Sequence, residues 1–141
     1  MSDDLEESLP EAFWAVTRRL RWLSRATLEP WQVTPGHSRA IEVLRHHGAI
    51  RLSDLSERLH IAPRSTTEVV DGLEERGLVE RRPDPNDRRA TLVVLTDEGQ
   101  RIGREIRSAQ AAAAERFFGE LSATDRAALA RILRKLRRVE E

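Results

Sequence analysis

Glycine and proline cut the middle of this chain into pieces too short for anything but a few small elements. Gly48, Pro63, Gly77 and the run Pro83-Asp84-Pro85-Asn86-Asp87 fall within one stretch. Proline lacks a backbone N–H and fixes φ, so it opens helices and is excluded from their interiors; glycine just past the last apolar position closes them. Leu52, Leu55 and Leu59 recur at steps of three and four, which predicts a helix of about two to three turns, with Ser53 as a candidate cap. His60-Ile61-Ala62 forms a tight connection. Pro63 then suits the first position of a second helix, which turns Val69, Val70 and Leu73 inward and ends at Gly77. Two short strands are predicted next, Leu78 to Arg82 and Thr91 to Leu95, joined through the proline-rich turn as a hairpin.

The flanks have a different texture. From Leu5 to His47 the pattern is helical: Phe13, Val16, Leu20 and Leu23 form one apolar stripe, and Arg18, Arg19, Arg21 and Arg25 occupy mostly the other faces. Thr34-Pro35 reads as an N-cap with proline at the first helical position; the helix it opens carries Ala40, Ile41, Val43 and Leu44 and stops at Gly48. After the hairpin, Thr96 caps a helix entered through Asp97 and Glu98 and lined by Ile102, Ile106, Ala109, Ala113 and Phe117, with Gly119 at its end. Ser122 and Asp125 have capping-box spacing before a last helix that carries Leu129, Ile132, Leu133 and Leu136. The 141 residues thus divide into 1–48, 49–96 and 97–141 within one structural domain.

Composition removes several function classes. No cysteine is present, which excludes disulfides, thiol catalysis and cysteine–zinc sites. Basic and acidic residues balance at 24 each, and Lys135 is the only lysine. The apolar runs are too short to span a membrane. The opening from Met1 to Glu11 carries Asp3, Asp4, Glu6, Glu7 and Glu11 without a base, unlike a secretory signal, so a cytoplasmic location is expected. The pairs Glu42/His46 and Glu57/His60 stand at helical spacing but supply too few ligands for a metal, and His37, His46, His47 and His60 form no recognisable ligand cluster. No phosphate-binding glycine loop or nucleophile elbow occurs. No metal, cofactor, catalytic residue or enzymatic activity is expected, and a small metal hydrolase would need a ligand cluster that is not found.

Helix, tight turn, helix and hairpin make the winged helix-turn-helix arrangement, so the predicted fold is mainly α with a small β-hairpin wing. Three segments carry a resemblance. Leu52-Ser53-Asp54-Leu55-Ser56-Glu57-Arg58-Leu59 resembles the first helix of the motif in MarR-type regulators. Leu73-Glu74-Glu75-Arg76-Gly77-Leu78-Val79-Glu80-Arg81-Arg82 resembles the end of their recognition helix and first wing strand. Pro83-Asp84-Pro85-Asn86-Asp87-Arg88-Arg89, followed by Leu92-Val93-Val94-Leu95-Thr96-Asp97-Glu98-Gly99, resembles their wing and its exit.

A recognition helix presents small polar and basic side chains from its N-terminal half to base edges in the major groove, and Arg64, Ser65, Thr66 and Thr67 fill that half. The resemblance places Ser65, Thr66 and Thr67 near bases and Arg64 near the backbone or a base. Glu68, Asp71, Glu74 and Glu75 would be repelled by phosphate, so most should point away or pair with arginine. The wing offers Arg81, Arg82, Arg88 and Arg89, and an arginine on a narrow loop can enter the minor groove. Asp87 and Arg89 match the family's Asp-x-Arg pair, which implies that Arg89 inserts and Asp87 braces its guanidinium. On this reading Arg89→Ala weakens DNA binding and Thr66→Ala alters sequence preference.

The resemblance further implies a homodimer in which the first, fifth and sixth helices interlock, with Ala111 to Ala114, Phe117, Phe118, Leu129, Leu133 and Leu136 as candidate contacts. Two recognition helices would then meet a pseudo-palindromic operator about one helical turn apart. Trp14, Trp22 and Trp31 admit two readings: packing of the first helix against the dimer core, or an aromatic-lined pocket. For the second, Arg18, Trp22, His37 and Arg45 are the candidate residues for a small aromatic or anionic effector. The expected function is a sequence-specific double-stranded DNA-binding transcriptional regulator, a repressor released by that effector. The alternative is a winged-helix module that contacts only proteins and binds DNA weakly and without salt sensitivity.

Overall fold

The computed structural model describes residues 7–138. Residues 1–6, including Leu5 and the acids Asp3, Asp4 and Glu6, and residues 139–141 lie outside them. Helix α1 spans Leu9–Leu28, capped by the Ser8 hydroxyl, which accepts from the Glu11 amide at 3.3 Å. A 3-10 turn, Glu29–Trp31, ends at Gln32 in the left-handed region, φ 52°. Helix α2 spans Pro35–His47 under the predicted Thr34 cap, which accepts from His37 N at 3.1 Å, and stops at Gly48. Strand β1 is Ile50–Arg51, α3 is Leu52–Leu59 and α4 is Pro63–Glu75. The wing is β2, Val79–Asp84, and β3, Asp87–Leu95; α5, Asp97–Phe118, and α6, Ala123–Arg137, close the described chain.

One core joins the helices to the sheet. Leu28, Ile41, Leu44, Leu55, Leu73, Leu78 and Val93 are at most 2% exposed and belong to a single cluster with Val70, Ile102 and Ile106. Each large aliphatic side chain buried there contributes about 2 kcal/mol of transfer free energy before entropy is counted. The predicted apolar positions of α2, α3 and α4 all lie in or against this cluster. By contrast, none of the described residues of α6 is buried, and Ile132, Leu133 and Leu136 are 45%, 40% and 69% exposed. Its docking to α5 runs through Arg126, which donates to the Phe118 carbonyl at 3.0 Å and pairs with Glu115.

Three local expectations are corrected. The hairpin is longer than predicted, with only Pro85-Asn86 left between the strands. The Asp84 carboxylate accepts from the Asn86 amide at 2.8 Å, an Asx turn that closes the hairpin tightly. Pro83 pairs opposite Thr91 on an edge strand, where a missing N–H is tolerated. The hairpin is also part of a three-stranded antiparallel sheet in the order β1-β3-β2, with Ile50 opposite Val93 and Arg51 opposite Leu92. Finally, Ser53 is the second residue of α3 and not its cap; Arg51 occupies the cap position, and its side chain makes no capping bond to the helix.

Candidate nucleic-acid interface

The turn between α3 and α4 is set by short-range bonds. His60 takes the left-handed conformation at φ 54°, and the buried Ser56 hydroxyl donates to the Ile61 carbonyl at 2.9 Å. Helix α4 then begins at Pro63 with no side-chain cap. Its first-turn amides are thus left open to an outside acceptor, and together with the helix dipole they favour an anion such as phosphate.

Arg64 and Ser65 are exposed on that first turn. Thr66 is not: it is fully buried, and its hydroxyl donates to the Ala62 carbonyl at 3.1 Å. The expectation that Thr66 faces a base is corrected, because the helical turn of α4 that presents Arg64 and Ser65 points Thr66 into the core beside Val70 and Leu73. Thr67 is half-buried and donates to the Pro63 carbonyl at 3.1 Å.

The wing's basic residues divide into two groups. Arg81 is held by the recognition helix: its guanidinium pairs with Glu74 at 3.0 Å and with Asp71, and its backbone amide donates to Glu74 at 3.2 Å. Arg82 pairs with Glu80 at 3.0 Å. Arg81 is thus engaged by the recognition helix, whereas Arg82, also expected to contact DNA, stays largely exposed beside Glu80. Within residues 49–96, Arg51, Arg58, Arg76, Arg81 and Arg82 each have a polar partner for the guanidinium, whereas Arg64, Arg88 and Arg89 have none among the described residues and are exposed. Two of the α4 carboxylates, Asp71 and Glu74, pair with arginine as expected, sharing the single charge of Arg81.

Asp87 does not brace the Arg89 guanidinium. Its carboxylate accepts from the Arg89 backbone amide at 3.0 Å and lies 4.0 Å from Arg51. It shapes the strand that carries Arg89 and leaves the side chain free. The tip end of the wing is fixed by residues that the periodicity does not single out. Arg51 Nε donates to Asp84 at 2.9 Å, and Asp84 is 7% exposed. The Asn86 amide, then Arg51, holds the Asp84 carboxyl below the usual carboxylate range, against the opposing effect of burial.

The four residues expected to form an effector pocket are not brought together. Arg18 and Trp22 lie on α1, where Trp22 is 69% exposed and lines a groove against α5 with Phe117 and Arg116. His37 instead packs over Gly72 of α4; its burial and the nearby Arg76 lower its pKa from the usual value. Arg45 lays its stem on Gly103 of α5 and pairs with Glu42. Trp31 is partly buried against the core, whereas Trp14 and Trp22 are exposed. Among the described residues no group of three His, Asp or Glu gathers as a metal site, and no helix is long and apolar enough to cross a membrane.

Comparison with known proteins agrees with this geometry. The family model described as the MarR family matches residues 33–91. The HTH-type transcriptional repressor MdtR of Bacillus subtilis (strain 168) is 26% identical over 99% of this chain and 90% of its own. The uncharacterized HTH-type transcriptional regulator YsmB of the same strain is 30% identical over 73% of this chain and 68% of its own. A crystal structure of a mutant MarR from E. coli complexed with operator DNA superposes with a TM-score of 0.80 at 26% identity, covering 97% of this chain and 100% of that one. The uncapped second helix, the arginine-tipped hairpin and these relatives lead to one conclusion: the chain belongs to the MarR family of winged-helix, DNA-binding transcriptional regulators.

Proposed function

We propose that two copies of this chain bind one pseudo-palindromic operator as a homodimer that represses transcription. In each copy the N-terminal half of α4 enters the major groove and the tip of the wing enters the adjacent minor groove. Arg64, Ser65 and Thr67 are assigned to the first contact and Arg88 and Arg89 to the second. The observation that carries this reading is the distribution of unpaired charge. Within residues 49–96, the arginines whose guanidinium groups have no polar partner among the described residues stand on the first turn of α4 and at the end of the hairpin, where phosphates and a narrow groove would meet them. Binding that rests on such cation–phosphate contacts should be steeply salt-dependent.

The helices outside the reading head support a second copy. A 15-residue helix without a buried residue gains little from its own backbone bonds in water, and α6 turns a row of large apolar side chains outward. The beginning of α1 does the same with Phe13, Trp14 and Val16, each about half exposed. Covering these two faces against their counterparts in a second copy buries them and places two reading heads on one duplex. We assign no residues to a small aromatic or anionic effector, because the four candidates do not meet within one copy.

Fluorescence anisotropy with a duplex bearing an inverted repeat tests this function. The parent chain should bind it with a steep fall in affinity as salt rises. Arg89→Ala should weaken binding and reduce the slope of log affinity against log salt by about one for each site that loses its phosphate or groove contact. An unchanged slope and affinity would remove the wing from the interface.

A further inference from the structure

The turn between α1 and α2 is fastened on two sides by side chains that lie outside the DNA contacts. From the C-terminal end of α4, Arg76 Nη1 donates to the Gln32 carbonyl at 3.0 Å and Nη2 to the Trp31 carbonyl at 2.6 Å. From the same turn, Trp31 Nε1 donates to Glu105 of α5 at 3.1 Å. Glu105 is held in place by Arg101, one helical turn back, at 2.9 Å. A continuous polar path therefore runs from the end of the recognition helix, through one tryptophan, to the middle of α5.

Helix α4 also has a second attachment to α5, at a different point. The Thr96 hydroxyl, which caps α5 by accepting from Gly99 N, also donates to the Gly77 carbonyl at 2.6 Å. The Thr96 amide donates to the Leu78 carbonyl at 3.0 Å. One attachment alone is a pivot about which the reading head can turn. Thr96 and Glu105 are nine residues apart, about 13 Å along a helix axis. A tie at each point removes the rotation. Arg76 is well shaped for such a tie. Its planar fork spans the two successive carbonyls of a turn whose last residue, Gln32, is left-handed, and a charge-assisted fork fixes direction as well as distance.

We infer that Arg76 and Trp31 are positioning residues that set the angle of α4 relative to α5, and through it the spacing of operator half-sites that the dimer accepts. This rests on the homodimeric DNA-binding function proposed above. Base recognition at each half-site belongs to the first turns of α4 and is separate from this angle. The angle governs only whether two heads reach two half-sites together.

The test measures affinity of the full-length dimer for operators with the same half-sites at the preferred spacing and with one base pair added or removed. Two variants are used. Arg76→Met keeps the aliphatic stem and loses the fork; Trp31→Phe keeps an aromatic ring on the core and loses the N–H. Each should lower the discrimination between preferred and altered spacing by about threefold or more, the scale of ordinary conformational coupling. The ranking of single-base changes within a half-site should stay as in the parent. Because the two residues share one path, the double variant should show less than the product of the single effects. Thermal unfolding separates a fold defect from an altered angle, and Trp31→Phe decides the outcome if Arg76→Met does not fold. Retention of the parental spacing preference by both folded variants would overturn the inference while leaving DNA binding intact. A parent chain that binds no inverted repeat would instead overturn the function on which it rests.

Discussion

At the scale of single residues, threonine and arginine at neighbouring positions have opposite fates. Arg64 stands in solvent, while two positions on Thr66 is sealed in the core with its hydroxyl returned to its own helix. Composition identifies both as groove-type residues; only the 3.6-residue period of α4, anchored by Val70 and Leu73, tells them apart. Thr66→Ala should therefore act on stability and not on recognition. Removing a buried methyl and hydroxyl should cost about 1–2 kcal/mol in thermal unfolding, with base preference in operator-variant binding unchanged. A changed base preference would return Thr66 to the interface. The same logic separates the wing arginines. Arg81 is as basic in the sequence as Arg88 and Arg89, yet the acids that hold it are Asp71 and Glu74 on the preceding helix, three-dimensional neighbours that spacing does not announce.

At the scale of elements, the joints between α4, β2 and α5 are the tightest part of the fold. A Cβ added at Gly99 would lie 2.1 Å from the Leu78 carbonyl oxygen, a backbone atom that cannot turn aside. Gly72 faces the movable His37 ring at 3.1 Å. Gly99→Ala should destabilise by about 3 kcal/mol or more, beyond ordinary overpacking, and Gly72→Ala should cost distinctly less; comparing their denaturation midpoints checks the contrast. Much of this level is legible in the sequence. Pro35 and Pro63, Thr34 and Thr96, and Gly48 and Gly77 set helix boundaries through local backbone chemistry, and local chemistry is what a sequence states directly. The two-residue β1 is not legible, since no periodicity fits in two residues and its pairing with β3 is a long-range event. A wing inferred from sequence comes out too short because Pro83 suggests a loop, whereas its position on an edge strand removes the objection to proline.

At the scale of the whole molecule, the division between a well-buried centre and an uncovered α6 is the dominant feature. Leu133→Glu combined with Leu136→Glu should leave the single copy folded, since neither side chain contributes to its core. It should shift the sedimentation coefficient to that of a monomer and weaken operator binding by at least about tenfold, the loss of one linked half-site contact. A dimer that survives both charges would move the interface elsewhere. The arginine-rich surface and exposed aromatics of α1 are readable as a pattern, but which of them meet one another is not. Arg18, Trp22, His37 and Arg45 look like one constellation in the sequence and occupy separate places on α1 and α2.

The links from Arg81 to Asp71 and Glu74 join the second helix of the motif to the finger, and that from Arg51 to Asp84 joins the finger's end to β1, so helix and finger are braced like the jaws of a caliper set to one opening. These links favour one width of groove for a single copy. In the homodimer proposed above, the release of an operator would then come from a change in how far apart the two calipers stand and how they are turned.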